Sequence, residues 1–246
     1  MITLEKVYKS FSGQSVLKDI SVEIQPQESF VVLGKSGVGK SVLLKVIGKL
    51  LAPDSGVVSL KTSNVGMLFQ KNALFDSMTV NENLDFPLRE KTKLKKNDRK
   101  QKIAKFLEYV ELSHAGEKFP NELSGGMQKR VGIARALIIE PEIMLYDEPT
   151  AGLDPITSRM ITELIVRMQK EVHATLVSVT SDVPRAFELA NTKGRMSVLT
   201  PEGLVILGKK DIARQEATKH PHINELFDID FSVHLETKNG DPSHVH

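Results

Sequence analysis

A chain of 246 residues with 40% hydrophobic and 26% charged residues has the make-up of an ordinary globular protein, long enough to bury a sizeable core. Its formal net charge of +2 supplies no strong field for nucleic acid or an acidic substrate, so no nucleic acid is expected among its partners. Zero cysteines exclude disulfides and thiolate metal sites, and without a basic-then-apolar leader or a membrane-length apolar run the chain is expected to be soluble.

The first third is rich in short β-branched runs. "ISVEI" (20–24), "SFVVL" (29–33), "GVVSL" (56–60) and "VGMLF" (65–69) read as strands separated by Gly, Pro, Asp and Asn. Between the second of these and the helical run "VLLKVIGKLL" lies "GKSGVGKS" (34–41), the strand, glycine loop and helix order that a phosphate cradle requires. Gly34, Gly37 and Gly39 let consecutive backbone N–H groups face one anion, and the helix N-terminus adds its partial positive charge. Ser36, Val38 and Val42 are expected to contribute to the same binding site. In such a cradle Lys40 bridges the β- and γ-phosphates and the Ser41 hydroxyl ligates Mg²⁺.

A mostly helical insert, roughly 72–122, follows. Its lysine-rich stretch "REKTKLKKNDRKQKIAK" (89–105) reads as a solvated helix face, with acidic lipid headgroups as the other reading. Ile103, Phe106, Leu107 and Val110 mark the apolar stripe of one helix. "LSGGMQKR" (123–130) is a Ser-Gly-Gly turn opening another, a second N-terminus suited to an anion.

"IMLYDEPT" (143–150) is an apolar strand carrying Asp147 and Glu148 to its C-terminal end, the edge at which open α/β sheets bind ligands. Asp147 is expected to hold the metal, and Glu148 to orient and deprotonate an attacking water. With Asp154 as N-cap and Pro155 at the first turn, Met160, Ile161, Leu164, Ile165 and Met168 form a helical stripe leading to the strand "TLVSVT" (175–180). Strand, helix and strand make a βαβ unit, so the two strands are expected to be parallel neighbours. Beyond the second come Ser181 and Asp182, the latter read as the N-cap of "VPRAFELA". The tail from residue 222 mixes an apolar patch with a polar end and reads as a partner arm or a frayed terminus.

Together "GKSGVGKS", "LFQ" with Gln70, "LSGGMQ", "YDEP" and "AGLDP" (151–155), in this order, make the chain resemble an ATP-binding cassette (ABC) transporter ATPase over roughly residues 1–215. The resemblance implies an α/β P-loop NTPase fold with a RecA-like core, an antiparallel β subdomain and a helical subdomain. The ATPase domain is expected over 1–219, with the helical lobe at about 72–135 and a C-terminal extension at 220–246. ATP and Mg²⁺ are the implied cofactors.

The resemblance further implies a head-to-tail homodimer in which ATP on Lys40 and Ser41 of one copy is closed over by Ser124, Gly125 and Gly126 of the other. Asp154 would sit at the dimer centre, and Gln70 would join the metal to the lobe that meets the membrane subunit. Phe11 falls where the family stacks an aromatic on adenine, with Tyr8 as the fallback and core packing open for both. Where the family ends the strand after "AGLDP" and its helix in a histidine that contacts the γ-phosphate and steadies the glutamate, this sequence has Ser181. Slower hydrolysis is therefore expected, on the order of 10²- to 10³-fold, with binding intact.

"MLFQKNALFDSMTVNENLDFPLRE" (67–90), "ELSGGMQKR" and "TSDVPRAFELA" look like the ATPases of Mla-type systems, which serve MCE-protein phospholipid transporters. That likeness implies an integral membrane permease, an MCE lipid-binding protein and a STAS-type subunit as partners, and a peripheral place on the cytoplasmic face of the inner membrane. Leu74 and Phe75 either dock a permease helix or pack inside the helical lobe. With 28 residues between Ser41 and Gln70, the sheet beside the nucleotide is expected to be trimmed.

Overall fold

The computed structural model describes residues 1–70, 74–190 and 194–220, with Ile223, Leu226 and Phe227. Expectations for the tail beyond residue 227 lie outside the described residues.

Three strands, β3 (Ser29–Leu33), β6 (Ile143–Asp147) and β7 (Thr175–Thr180), are buried along their whole length. Unbroken burial of this kind belongs to parallel strands covered on both faces, and these three form the centre of the main sheet. With β5 (Val65–Leu68), β8 (Arg195–Thr200) and β9 (Gly203–Lys209) the order is β5-β6-β7-β3-β8-β9. All pairs are parallel except β8 with β9. The expected βαβ unit is present: α5 (Pro155–Val172) joins β6 to β7, which pair from Ile143 with Thr175 to Asp147 with Val179.

A second sheet is antiparallel, with order β2-β1-β4 from β1 (Ile2–Phe11), β2 (Gln14–Ile24) and β4 (Ser55–Leu60). Only residues 61–64 connect β4 to β5. Between the two sheets one apolar core packs Ile2, Leu17 and Ile24 against Phe30, Val32, Val177 and Val179, with α1 (Lys40–Ile47) adding Leu43, Leu44 and Ile47.

The other core lies on the far face of the main sheet, under α5, α4 (Gly125–Leu137) and α6 (Val183–Leu189), and continues into a lobe of α2 (Val80–Lys91) and α3 (Lys96–Tyr109). In α3 the expected stripe is buried: Ile103, Phe106, Leu107 and the capping Val110. In α5 the stripe holds from Ile161 to Met168, but Met160 is 48% exposed. The helix runs past the edge of the core at its N-terminal end, so Met160 faces a cleft. The helix α7 (Lys210–Thr218) follows β9 directly and buries Ala213 and Ala217. Among the described residues no helix is long and apolar enough to cross a membrane.

Candidate phosphate site

Three parallel strands end at one edge and deliver the polar groups found there. At the end of β3, residues 34–39 turn back toward α1, whose N-cap Gly39 has φ 109° and carries no capping side chain. An L-residue at that backbone angle is strained, and an added Cβ would lie 2.6 Å from Val16 Cγ1 on β2. The opening N–H groups of α1 are thus left for an anion rather than a cap. Val38 and Val42 pack against the inter-sheet core and anchor the loop from below, whereas Ser36 is exposed.

Lys40 is 5% exposed and its ammonium donates to Gly34 O (2.9 Å) and Lys35 O (3.1 Å). It also forms an ion pair with Glu148 Oε1 at 3.1 Å. The next residue, Ser41, donates from Oγ to Asp147 Oδ1 at 2.8 Å. Asp147 is buried, and that burial raises its pKa; the Ser41 hydrogen bond and the lysines at 45 and 40 oppose the rise, while Glu148 adds to it. A hydroxyl and a carboxylate oxygen side by side, beside an ammonium, form an oxygen-donor set of the kind Mg²⁺ takes together with phosphate oxygens. The residues present therefore fit a magnesium nucleotide.

Glu148 adopts a left-handed backbone conformation (φ 46°), which costs an L-residue roughly 1–2 kcal/mol. Its amide donates to Val179 O at 3.0 Å, and this bond turns the carboxylate over the end of β7. There one carboxylate oxygen meets Lys40 and the other accepts from Ser181. Such stored strain is common where a side chain must be aimed at a reaction centre. Asp182 caps α6, accepting from Arg185 N at 3.0 Å. His173 caps the opposite end of the same βα crossover, before β7 begins.

A second group of expected residues gathers at the N-termini of α4 and α5. Ser124 caps α4 by accepting from Met127 N (3.3 Å), and Asp154 caps α5 by accepting from Thr157 N (3.0 Å). The Thr157 bonds hold Asp154 below its ordinary pKa. These two caps, with Gly125 and Gly126, line one cleft of about 350 Å³ that Met160 also faces. At Gly126 an added Cβ would lie 2.8 Å from Thr157 Cγ2, so a side chain there would have to displace that methyl. Among the described residues no hydrogen bond or ion pair joins this group to residues 34–41.

Phe11 and Tyr8 are both exposed, 45% and 39%, so core packing is excluded for either. Phe11 closes β1 at the hairpin whose second strand supplies Val16 beside Gly39, and Lys9 Nζ lies 5.5 Å from its ring centroid. Leu74 packs against the core of the helical lobe, whereas Phe75 is 41% exposed, with Arg135 5.3 Å from its ring centroid. Buried Asn83 fixes that loop by accepting from Phe75 N and donating to Phe75 O and Met78 O.

Gln70 is exposed, and among the described residues its side chain makes no hydrogen bond to Ser41, Asp147 or Glu148. Its carbonyl accepts from Lys129 Nζ at 2.9 Å. Lys129 was not singled out from the sequence. Its spacing of four from buried Ile133 places it on the inner face of α4, which is the available signal.

The family model described as ABC transporter matches residues 17–151. The Arabidopsis thaliana protein TRIGALACTOSYLDIACYLGLYCEROL 3, chloroplastic, is 42% identical over 196 residues, covering 71% of this chain and 56% of the relative. A probable ribonucleotide transport ATP-binding protein mkl from Mycobacterium leprae is 36% identical over 226 residues, covering 86% and 64% respectively. The chain thus spans under two thirds of the length of both curated relatives. Among solved structures, an ATP-binding cassette dimer in a post-hydrolysis state bound to ADP and Pi superimposes with TM-score 0.74 at 31% identity, covering 83% of this chain and 96% of that one. A cbiO1 subunit from Clostridium perfringens, part of the ABC transporter complex cbiONQ, gives TM-score 0.77 at 27% identity, covering 92% and 98%.

Proposed function

The chain belongs to the ABC transporter family, and on that premise we propose that it binds and hydrolyses ATP as a head-to-tail homodimer energising a separate integral membrane permease for phospholipid transport. The observation that carries the reading is the convergence of Lys40, Ser41, Asp147, Glu148 and Ser181 at the ends of β3, β6 and β7. The lipid assignment rests on the Mla-like run at 67–90 and on a relative named for a galactolipid. An MCE lipid-binding protein and a STAS-type subunit belong to the same proposal, as does a peripheral position on the cytoplasmic face of the inner membrane. A non-lipid solute is the second reading, favoured by the relatives named for ribonucleotide transport.

In this mechanism the loop amides and Lys40 hold the β- and γ-phosphates, and Phe11 stacks on adenine. Ser41, Asp147 and Gln70 would hold Mg²⁺, which supplies charge neutralisation on the phosphate oxygens. Glu148 accepts a proton from water as the water oxygen bonds to the γ-phosphorus. The bond to the β–γ bridging oxygen breaks, releasing ADP and inorganic phosphate. Ser181 steadies Glu148 with its amide and hydroxyl. Ser124, Gly125 and Gly126 of the second copy close over the triphosphate, with Asp154 at the dimer centre.

The dimer part is tested by light scattering of Glu148→Gln with ATP and Mg²⁺. A persistent dimer that ADP does not induce is expected; a monomer under both nucleotides would overturn it. Affinity purification from native membranes tests the transport assignment: co-purifying permease and MCE protein support lipid transport, and a solute-importer permease supports the second reading.

A further inference from the structure

Lys129 is 2% exposed, yet among the described residues it forms no ion pair within 4 Å. A buried ammonium is costly unless its donors are satisfied, and of its three N–H groups one meets the Gln70 carbonyl, 59 residues away in the chain. Burial holds the Lys129 pKa below its ordinary value, and the field of Asp147 opposes that fall and is the other visible support of the charged form. The same lysine lies on the second turn of α4, the helix whose first turn is Ser124, Gly125 and Gly126. One side chain therefore connects the expected metal loop of its own site with the helix that presents the Ser-Gly-Gly turn.

We propose that Lys129 is a positioning residue that couples the two nucleotide sites of the dimer: it locks the Gln70 carbonyl in its own site to the helix whose N-terminal turn closes the partner's site. This rests on the head-to-tail reading given above. Asp147 and Gln70, two of the residues that would hold Mg²⁺, are thus the two groups seen to support the buried ammonium, so Lys129 is tied to the site of its own copy. A shift of the Gln70 carbonyl would thereby be carried to α4. No contact between the two phosphate groups is needed.

The test uses the full chain in the Glu148→Gln background. Lys129→Met is expected to leave ADP·Mg²⁺ affinity within about threefold of the parent while weakening ATP-driven dimerisation by about tenfold or more. Lys129→Arg, which keeps a cation and donors, is expected to retain dimerisation. In the nucleotide-free protein, amide exchange in a peptide covering Met67–Gln70 should be about tenfold faster in Lys129→Met. Where that variant fails to fold, Lys129→Gln serves for both measurements. Unchanged dimerisation or unchanged exchange would overturn the proposal. So would a parallel loss of ADP affinity, which marks a merely structural lysine. A parent that does not dimerise with ATP would instead overturn the paired-site reading, while the exchange result still judges the lock.

Discussion

Ser181 donates twice to the same oxygen of Glu148: its amide at 3.1 Å and its hydroxyl at 3.4 Å both reach Oε2. The shorter bond is the main-chain one, so part of the anchoring does not depend on the side chain. Ser181→Ala is accordingly expected to lower ATP turnover by less than about tenfold, because the bond lost is a long one to the carboxylate and the amide bond to the same oxygen remains. Ser181→His, which adds a longer donor able to reach the γ-phosphate, is expected to raise turnover by up to about 10²-fold with nucleotide affinity unchanged. Steady-state ATPase assays check both, and no gain with histidine would show that the serine is no deficit.

Asp147 is a carboxylate whose folded-state pKa lies above its ordinary value because burial disfavours its charge. The sign follows directly: the unfolded chain ionises it more readily, so above its folded pKa the charge detracts from stability, and the loss is relieved as pH falls through that value. Asp147→Asn should therefore raise the Tm of the nucleotide-free protein at neutral pH, by about 2–4 °C for each kcal/mol released. The same variant should lose Mg²⁺-dependent turnover. In the unmodified chain, Mg²⁺ affinity should begin to fall on acidification at a higher pH than an ordinary aspartate would set. Calorimetry and Mg²⁺ titrations across pH are the checks.

Tyr146 and Ser178 face each other across β6 and β7, both fully buried, and neither hydroxyl has a hydrogen-bond partner among the described residues. An unpaired buried hydroxyl costs about 1–3 kcal/mol. Burial also pushes the Tyr146 phenol far above its usual pKa, so it stays neutral at any working pH. Tyr146→Phe is expected to be neutral or stabilising in chemical denaturation. A marked loss of stability would reveal a partner for the phenol.

Gly126 keeps α4 and α5 close at the cleft that holds Ser124 and Asp154, because a methyl there would meet Thr157 Cγ2 at 2.8 Å. Gly126→Ala should abolish ATP-driven dimerisation while leaving ADP binding intact. Adding Thr157→Ser, which removes the opposing methyl, should restore part of it, as expected of two residues in contact. Light scattering of the single and double variants decides.

The legible parts of the fold were those whose burial writes a simple pattern. The strands β3, β6 and β7 could be read to the residue because both their faces are covered, and the caps Asp154 and Asp182 because their side chains satisfy helix amides. By contrast β1 was missed and β2 read only in its last five residues, since their alternation is broken by register shifts with Lys6 and Asp19 at positive φ. At the site, glycine spacing and acid placement located the phosphate edge, but nothing in the sequence disclosed that Lys40 pairs with Glu148 or that Lys129 holds Gln70. Those pairings join residues more than 50 positions apart, and only the completed packing brings them together.

The hydrogen bond between Ser41 and Asp147 spans 106 residues, and the strand pairing that supports it joins β3 to β7 from opposite halves of the chain. Contacts of such sequence separation close late, because loop entropy must be overcome before they give any return. A half-assembled molecule therefore has no pocket to offer, and ligand binding discriminates finished chains from unfinished ones. Because binding to the native form alone shifts the equilibrium by mass action, a nucleotide bound at this edge would act on the protein as a conformational proofreader.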